Sequence, residues 1–126
     1  MAEPRCPYFN RCGGCSFQNV DYQTQLDNKK QQLVHAIRAD IDPDLKDIDV
    51  KVFSGEPYDY RNRMDFIFHA NGLGFREKGR WQNIIDIKEC PISDQRLNLL
   101  LAEVRDFFRE PDAFHVKKHS GTFRYA

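Results

Sequence analysis

The stretch RMDFIFHANGLGFRE, residues 63–77, decides the fold because apolar positions alternate with others along it on either side of an Asn-Gly pair. Met64, Phe66 and Phe68 recur at the two-residue period of a β-strand. The Asn-Gly pair at 71–72 is a preferred sequence for the tight turn between two antiparallel strands. We therefore predict a β-hairpin whose returning strand is LGFRE.

Further strands are predicted on both sides of this hairpin. QNIIDIKEC, residues 82–90, predicts a third strand that carries Cys90 at its end, which makes the sheet small and antiparallel. Ile48, Val50 and Val52 also alternate, and they predict a strand before the hairpin.

The stretch AFHVKKHSGTFRYA, residues 113–126, predicts a strand, a turn at Ser120 and Gly121, and the beginning of a partner strand. Because it ends inside a hairpin arm, we expect residues 47–126 to form a domain that is incomplete at its carboxyl end and belongs to a longer protein.

Two helical patterns lie outside the sheet. Residues 21–40 predict an amphipathic helix with Asp21 as its N-cap. Residues 94–110 predict a second helix that is capped by Ser93 and ended by Pro111. The apolar stripes that we expect to pack are Tyr22, Leu26, Leu33, Val34 and Ile37 in the first helix, and Leu97, Leu100, Leu101, Val104 and Phe108 in the second.

The predicted fold class is α+β. A chain of 126 residues suffices for one compact domain. It would consist of a cysteine loop at residues 1–20, an amphipathic helix, a small antiparallel sheet and a second helix. The acidic stretch ADIDPDLKDID, residues 39–49, contains a proline and predicts a solvated loop between the first helix and the sheet.

The charge balance excludes a general attraction to polyanions. The 19 basic and 19 acidic residues give a net charge of zero, so RNA binding would need a local basic patch. The first residues lack the basic start and apolar core of a secretory signal, and no apolar run approaches the roughly 20 residues that span a bilayer. We expect a cytoplasmic monomer without membrane association.

The four cysteines, Cys6, Cys12, Cys15 and Cys90, are the clearest chemical feature. In a reducing cytosol such thiols favour metal binding over disulfides. Structural zinc sites usually pair their ligands in two short knuckles, whereas only Cys12 and Cys15 form one here. Three ligands in one glycine-containing loop and a distant fourth are more typical of an iron-sulfur cluster. Spacing favours a cluster, with zinc and disulfide or free-thiol chemistry as alternatives.

Three blocks of the sequence resemble one enzyme family. Residues 6–30, CPYFNRCGGCSFQNVDYQTQLDNKK, resemble the cluster motif of the RNA uracil-5-methyltransferase family, the TrmA and RumA group. Residues 60–68, YRNRMDFIF, and residues 74–92, GFREKGRWQNIIDIKECPI, are similar to central-domain motifs of that family, including a fourth cysteine followed by proline. In the first block, the CGGC loop is followed by Gln18, Tyr22, Gln25, Leu26 and Lys29.

The resemblance implies a four-iron four-sulfur (4Fe-4S) cluster and S-adenosylmethionine as methyl donor to a uridine in tRNA or rRNA. Methylation at C5 requires a thiolate that adds to C6 and a base that removes the C5 proton. A Gly-rich turn for S-adenosylmethionine is absent from the sequence. We therefore expect the catalytic Rossmann-like domain to lie outside this chain, which should be inactive alone and has no assigned catalytic residue. The cluster ligands implied by the resemblance are Cys6, Cys12, Cys15 and Cys90.

Basic and aromatic residues near the hairpin are candidates for RNA contact. Arg61 and Arg63 lie at the entry to a strand, where they could hold phosphate or instead pair with acids such as Asp65. Lys117 and Lys118 form a further basic pair. An ordinary solvated surface is the alternative for each. The residues that we assign to RNA binding are Arg61, Arg63, Phe75, Arg76, Lys78 and Arg80.

Two other functions remain open from the sequence. One is a stand-alone zinc-stabilised nucleic-acid-binding module, and the other is a small electron-transfer protein. The long interval between Cys15 and Cys90 disfavours the electron carrier, because the ligands of such proteins usually lie in compact repeated spacings.

Overall fold

The structure is a computed structural model that describes residues 1–44 and 47–126. A helix, three strands and a second helix follow one another, which confirms the predicted α+β class. Within the described residues, no helix has both the length and the apolar character needed to cross a membrane. We number the elements α1 (Tyr22–Asp40), β1 (Ile67–His69), β2 (Gly72–Glu77), β3 (Arg80–Asp86) and α2 (Gln95–Phe107).

The predicted hairpin is present, with its turn earlier than expected. β1 and β2 pair antiparallel, and the register joins His69 to Gly72, so Ala70 and Asn71 form the loop. Gly72 has a φ of 137°, a conformation that residues with a side chain rarely adopt. A Cβ at this position would also collide with the carboxylate of Asp86. Position 72 therefore requires glycine for both conformation and space.

β3 occupies a different range from the predicted strand. It begins at Arg80 and ends at Asp86, whereas the sequence predicted residues 82–90. The predicted position of Cys90 at a strand end is therefore wrong. Cys90 lies in the turn before α2, where its carbonyl accepts a hydrogen bond from the amide of Ser93 at 3.0 Å.

The last residues of the chain pair with β1. Phe66 and Ala126 exchange backbone hydrogen bonds of 2.9 and 2.8 Å, and the amide of Phe68 donates to the carbonyl of Arg124 at 3.0 Å. The predicted partner strand thus lies along the free edge of β1, so residues 124–126 extend the sheet.

The segment before these residues forms an irregular loop. The amide of His115 donates to the carbonyl of Ser120 at 2.7 Å, around a turn at residues 116–119. The predicted strand is therefore reduced to isolated bridges, and the predicted turn at Ser120 and Gly121 starts too late.

The core lies on one face of the sheet. Phe66, Phe68 and Leu73 form a buried cluster, and Leu101 of α2 packs against them. The half-buried ring of Phe75 contacts this cluster and a second one beside it, so the two are continuous. The second cluster consists of Ile85, Ile87, Cys90 and Ile92, with Tyr8 and Cys15 of the amino-terminal loop packed against it.

The cap of α2 differs from the prediction. Asp94 is the N-cap residue, and its carboxylate accepts a hydrogen bond from the amide of Arg96 at 2.9 Å. Ser93, the predicted cap, is instead fully buried. The helix ends at Phe107, before the predicted stop at Pro111.

The apolar stripe of α2 is only partly buried. Leu101 is 2% exposed, and Val104 and Phe108 pack against the core. Leu100, which the sequence also placed in the stripe, is 51% exposed.

α1 is confirmed as a helix, but none of its residues is buried. Leu33 of the predicted stripe is 49% exposed. Asp21 is the N-cap residue by position, yet it makes no capping hydrogen bond and its carboxylate pairs with the amino group of Met1 at 3.3 Å.

The strand predicted at Ile48, Val50 and Val52 is wrong. The described residues 47–56 have no regular secondary structure, and Val52 is 46% exposed. Alternation alone does not make a strand, because strand residues are stabilised by cross-strand neighbours and burial. Positions 45–46 of the predicted acidic loop lie outside the described residues.

Candidate metal centre

The cysteine loop is held on β2 by backbone hydrogen bonds. The amide of Gly13 donates to the carbonyl of Arg76 at 2.9 Å. The amide of Lys78 donates to the carbonyl of Arg11 at 2.7 Å. β1 covers β2 only between Gly72 and Gly74, so the rest of this edge is available to the loop.

Tyr8 folds the loop and ties it to the segment after β3. Its carbonyl accepts hydrogen bonds from the amides of Arg11 and Cys12, at 3.0 and 2.8 Å. Its hydroxyl accepts a hydrogen bond from the amide of Lys88 at 3.2 Å. The loop is thereby joined to the segment that carries Cys90.

These contacts bring Cys6, Cys12, Cys15 and Cys90 around one cavity of about 240 Å³. All four are free thiols; Cys90 is buried and the other three are half-buried. In the described part of the chain, no group of three cysteine, histidine or carboxylate side chains is arranged to hold a metal ion. The volume is several times the roughly 30 Å³ that one water molecule takes up in the liquid, so the thiols surround a space larger than one small ion.

The local environment sets the acidity of the thiols. Burial raises the pKa of Cys6, Cys12 and Cys90 above the ordinary value. At Cys90, hydrogen bonds from the amides of Ile92 and Ser93 act in the opposite direction and lower the pKa in part. The thiolate form of Cys90 therefore has backbone N–H donors to stabilise it.

Gln18 supplies a further polar group to this cavity. Its Oε1 accepts a hydrogen bond from the amide of Cys6 at 3.1 Å. Its Nε2 is buried and has no partner within residues 1–44 and 47–126. Gln18 also lines the cavity that the four cysteines surround. An unpaired buried donor costs about 1–3 kcal/mol, so a sulfur-rich group that accepted its hydrogen bond would fit these residues.

Arg61 and Arg63, two of the residues assigned to RNA, line the cysteine cavity. Arg63 pairs with Asp65 at 3.7 Å, but both side chains are largely exposed, so this ion pair contributes little to stability. Arg61 is fixed through its backbone, which bonds to Ile92 and Asp94 at 2.8 Å each. The alternative that the arginines pair with local acids therefore applies to Arg63.

Phe75 and Arg76 are less available than the sequence suggested. Phe75 is half-buried, and its ring stacks on Phe66 with centroids 4.9 Å apart, so it supports the core. Arg76 is also half-buried, and its guanidinium donates to the carbonyl of Trp81 at 2.7 Å.

The remaining basic candidates lie at turns. Lys78 lies in the exposed β2–β3 turn, and Arg80 begins the strand that follows it. Lys117 and Lys118 lie in the exposed turn near the carboxyl end, and Lys117 lines the same cavity as Arg76. The predicted RNA-binding residues thus divide between the cysteine cavity and the hairpin, and their contact with RNA remains a prediction.

Comparison with known proteins bears on this site. No family model matches the chain. It is 34% identical over 123 residues to the tRNA (uracil(54)-C(5))-methyltransferase of Pyrococcus horikoshii, a match that covers 96% of this chain and 28% of that protein. The chain is homologous to RNA uracil-C5-methyltransferases. It is also 33% identical over 109 residues to the 23S rRNA (uracil(747)-C(5))-methyltransferase of Pyrococcus furiosus, covering 85% of this chain and 24% of that protein.

A solved structure of a tRNA (uracil-54, C5)-methyltransferase also matches the chain. The crystal structure of Pyrococcus abyssi tRNA (uracil-54, C5)-methyltransferase in complex with S-adenosyl-L-homocysteine superposes with a TM-score of 0.71 at 30% identity. The match covers 90% of this chain and 27% of that chain. The resemblance predicted from the sequence blocks is therefore confirmed, and the chain spans 28% of the length of its Pyrococcus horikoshii relative.

Sequence reasoning about this methyltransferase homologue missed two features. Gln18 was noted in the first block, but its bond to Cys6 was not foreseen. Trp81 and Tyr125 were not selected, although both are more than half exposed. The sequence offered one indication for Trp81 and Tyr125, namely that large aromatic residues lie near basic ones. Aromatic residues are equally common in protein cores, so this indication does not select them.

Proposed function

We propose that the chain is the iron-sulfur-binding, RNA-recognising segment of an S-adenosylmethionine-dependent enzyme that makes 5-methyluridine in tRNA or rRNA. The observation that carries the proposal is that four cysteines surround one cavity in a chain whose similarity to RNA uracil-C5-methyltransferases extends over 96% of its length. Relatives named for tRNA and for 23S rRNA both support an RNA substrate.

A 4Fe-4S cluster fits the cavity better than a single zinc ion. Four thiolates around one zinc would lie about 3.8 Å from one another, given zinc–sulfur bonds of about 2.3 Å. The four thiols share a cavity of about 240 Å³, which is larger than one zinc ion needs and supports the proposal of a larger sulfur-bound group. The proposed ligands are Cys6, Cys12, Cys15 and Cys90.

The proposed role of the cluster is structural, because methyl transfer exchanges no electrons. When bound, it supplies iron–thiolate bonds that join residues 1–20 to the turn after β3. Gln18 would donate its free Nε2 hydrogen to a sulfur acceptor there. Arg61 and Arg63, beside the same cavity, would then be held in fixed positions for phosphate contact.

The methyl-transfer step is proposed to require residues outside this chain. C5 methylation needs a thiolate that can add to C6 of uridine, and the only thiols here are the four cluster ligands. We assign S-adenosylmethionine binding to that further part as well, since this chain spans 28% of the relative's length. We expect the chain alone to transfer no methyl group from radiolabelled S-adenosylmethionine to tRNA.

The test is anaerobic purification, followed by measurement of visible absorption, iron, acid-labile sulfide and zinc per chain. We expect brown protein with about four irons and four sulfides. Cys90→Ser should lose most of this iron and lower both thermal stability and tRNA affinity, whereas Ser16→Ala in the same loop should keep all three.

Two results would contradict the proposal. One zinc per chain without sulfide would identify a zinc-stabilised module. Unchanged stability and RNA affinity in Cys90→Ser would show that the cluster has no structural role.

A further inference from the structure

A second cavity, of about 270 Å³, lies over the sheet and is separate from the cysteine cavity. Alternation along the strands puts Ile67, Arg76 and Ile84 on the face opposite Phe75 and Ile85. Ile84 is 7% exposed, belongs to neither core cluster and lines this cavity. We call this cavity the sheet groove.

Two large aromatic side chains line the sheet groove while remaining open to solvent. Trp81 is 58% exposed and Tyr125 is 51% exposed. Exposed aromatic rings of this kind can stack on a planar ligand.

The charge of the sheet groove is one-sided. Its lining contains Arg76, Lys117 and Arg124, together with His69 and His115, and it contains no aspartate or glutamate. The whole chain has equal numbers of acidic and basic residues, so the excess of basic residues in the lining is local to the groove. The groove therefore favours an anionic partner.

The cations of the groove are held beside its aromatic rings. The guanidinium of Arg124 lies 5.0 Å from the ring centroid of Phe114 and 5.3 Å from that of Tyr125. The guanidinium of Arg76 lies 5.7 Å from the ring of Trp81. Its bond to the carbonyl of Trp81 uses one of five N–H donors and leaves others for phosphate.

The aromatic wall of the groove is positioned by the backbone. Arg124 and Ala126, on either side of Tyr125, form backbone hydrogen bonds with Phe68 and Phe66. The ring is therefore presented from an extension of the sheet, and binding would not have to order a free tail.

We propose that the sheet groove binds a single-stranded RNA segment, with a base stacked on Trp81 or Tyr125 and the adjoining phosphates bound by Arg76 and Arg124. This inference rests on the proposed function and adds a second RNA contact surface, away from the cysteine cavity. Stacking platforms beside cations accept any unpaired base.

The test uses Trp81, which is the chain's only tryptophan. Titration of the full chain with octauridylate should quench its fluorescence in a saturable way. Inorganic polyphosphate at equal phosphate concentration should not, because it has no bases. Equal quenching by polyphosphate would identify an anion-binding patch and overturn the inference.

Anisotropy of fluorescently labelled octauridylate measures the contribution of each side chain. Trp81→Ala and Arg124→Ala should each weaken affinity roughly tenfold, while Trp81→Phe should keep most of it. Lys51→Ala removes one charge from an exposed site outside the groove and should leave affinity unchanged. If Trp81→Ala proves unfolded by circular dichroism, Tyr125→Leu tests the same stacking role and should show a comparable loss.

Iron content and tRNA binding, measured on the same samples, separate this inference from the proposed function. Iron-loaded chain that binds tRNA and octauridylate without quenching of Trp81 and without sensitivity to Arg124→Ala would overturn the groove alone. Iron-loaded chain that binds no RNA would overturn both the groove and the RNA-recognition role.

Discussion

Arg105 of α2 donates a hydrogen bond to the carboxylate of Asp86 at the end of β3. The same guanidinium donates to the backbone carbonyls of Leu73 and Ile87. Asp86 in turn accepts a hydrogen bond from the amide of Leu73 at 3.0 Å. The Arg105 side chain thus connects α2 to the end of β3. The chain segment that follows β3 leads to Cys90.

Arg105→Ala should destabilise the fold by about 2 kcal/mol, because it removes the guanidinium hydrogen bonds to a partly buried carboxylate and to the carbonyls of Leu73 and Ile87. Arg109→Ala is the matched control, since Arg109 is exposed near the end of the same helix, and it should change stability by less than about 0.5 kcal/mol. Urea unfolding measures both. Equal stability of the two variants would show that the Arg105 contacts contribute nothing.

Gly72→Ala should destabilise the fold by about 2 kcal/mol or more, because alanine is strained at a φ of 137° and its Cβ would meet the Asp86 carboxylate. Gly55→Ala is the control, since a Cβ there has no neighbour within 4 Å, and it should be neutral or slightly stabilising. Thermal unfolding of the two variants tests the contrast. A neutral Gly72→Ala would mean that the hairpin loop tolerates another conformation.

Gln18→Ala should make the proposed cluster less stable, because it removes the acceptor of the Cys6 amide and the free donor beside the thiols. We expect loss of visible absorption in air to be roughly tenfold faster than in the unaltered chain. Gln23→Ala, which alters an exposed glutamine of α1, should decay at the unaltered rate. Identical decay in both variants would remove Gln18 from the site.

Asp94→Ala should lower the melting temperature of the metal-free chain by roughly 4 °C at pH 7, because α2 loses its N-cap. Hydrogen bonds from Arg96 lower the pKa of Asp94 from 3.8 to about 2. Since the folded pKa is below the ordinary value, the stabilisation is complete above about pH 4 and is lost as the pH falls toward 2.

The difference between the unaltered chain and Asp94→Ala should therefore shrink on acidification, as measured by melting curves between pH 6 and pH 2. Glu103→Ala, an exposed change within α2 away from the cap, serves as the control and should produce no difference at pH 7. A constant difference at every pH would mean that the carboxylate charge is not what stabilises the cap.

The two helices and the hairpin were predictable because their signals are local. The alternation around residues 63–77 and the apolar stripe of α2 each depend on neighbours a few positions away. The errors occurred where two local solutions compete. Ser93 and Asp94 are both good N-caps, and burial of Ser93 against the core leaves the role to Asp94. The strand predicted before the hairpin failed because, within residues 1–44 and 47–126, no strand pairs with it.

The sequence by itself determined the class of fold, the four thiols and, through three ordered motifs, the kinship with RNA uracil-C5-methyltransferases. Only the tertiary structure showed how Cys90 reaches the cavity of the other three cysteines, gave Gln18 its position beside them, and assembled Arg76, Trp81 and Arg124 into one groove. The physical reason is that these groups meet through backbone pairing between distant segments, with the cysteine loop on β2 and residues 124–126 on β1. Such pairings depend on which strand edges remain free, and no local pattern of side chains encodes that.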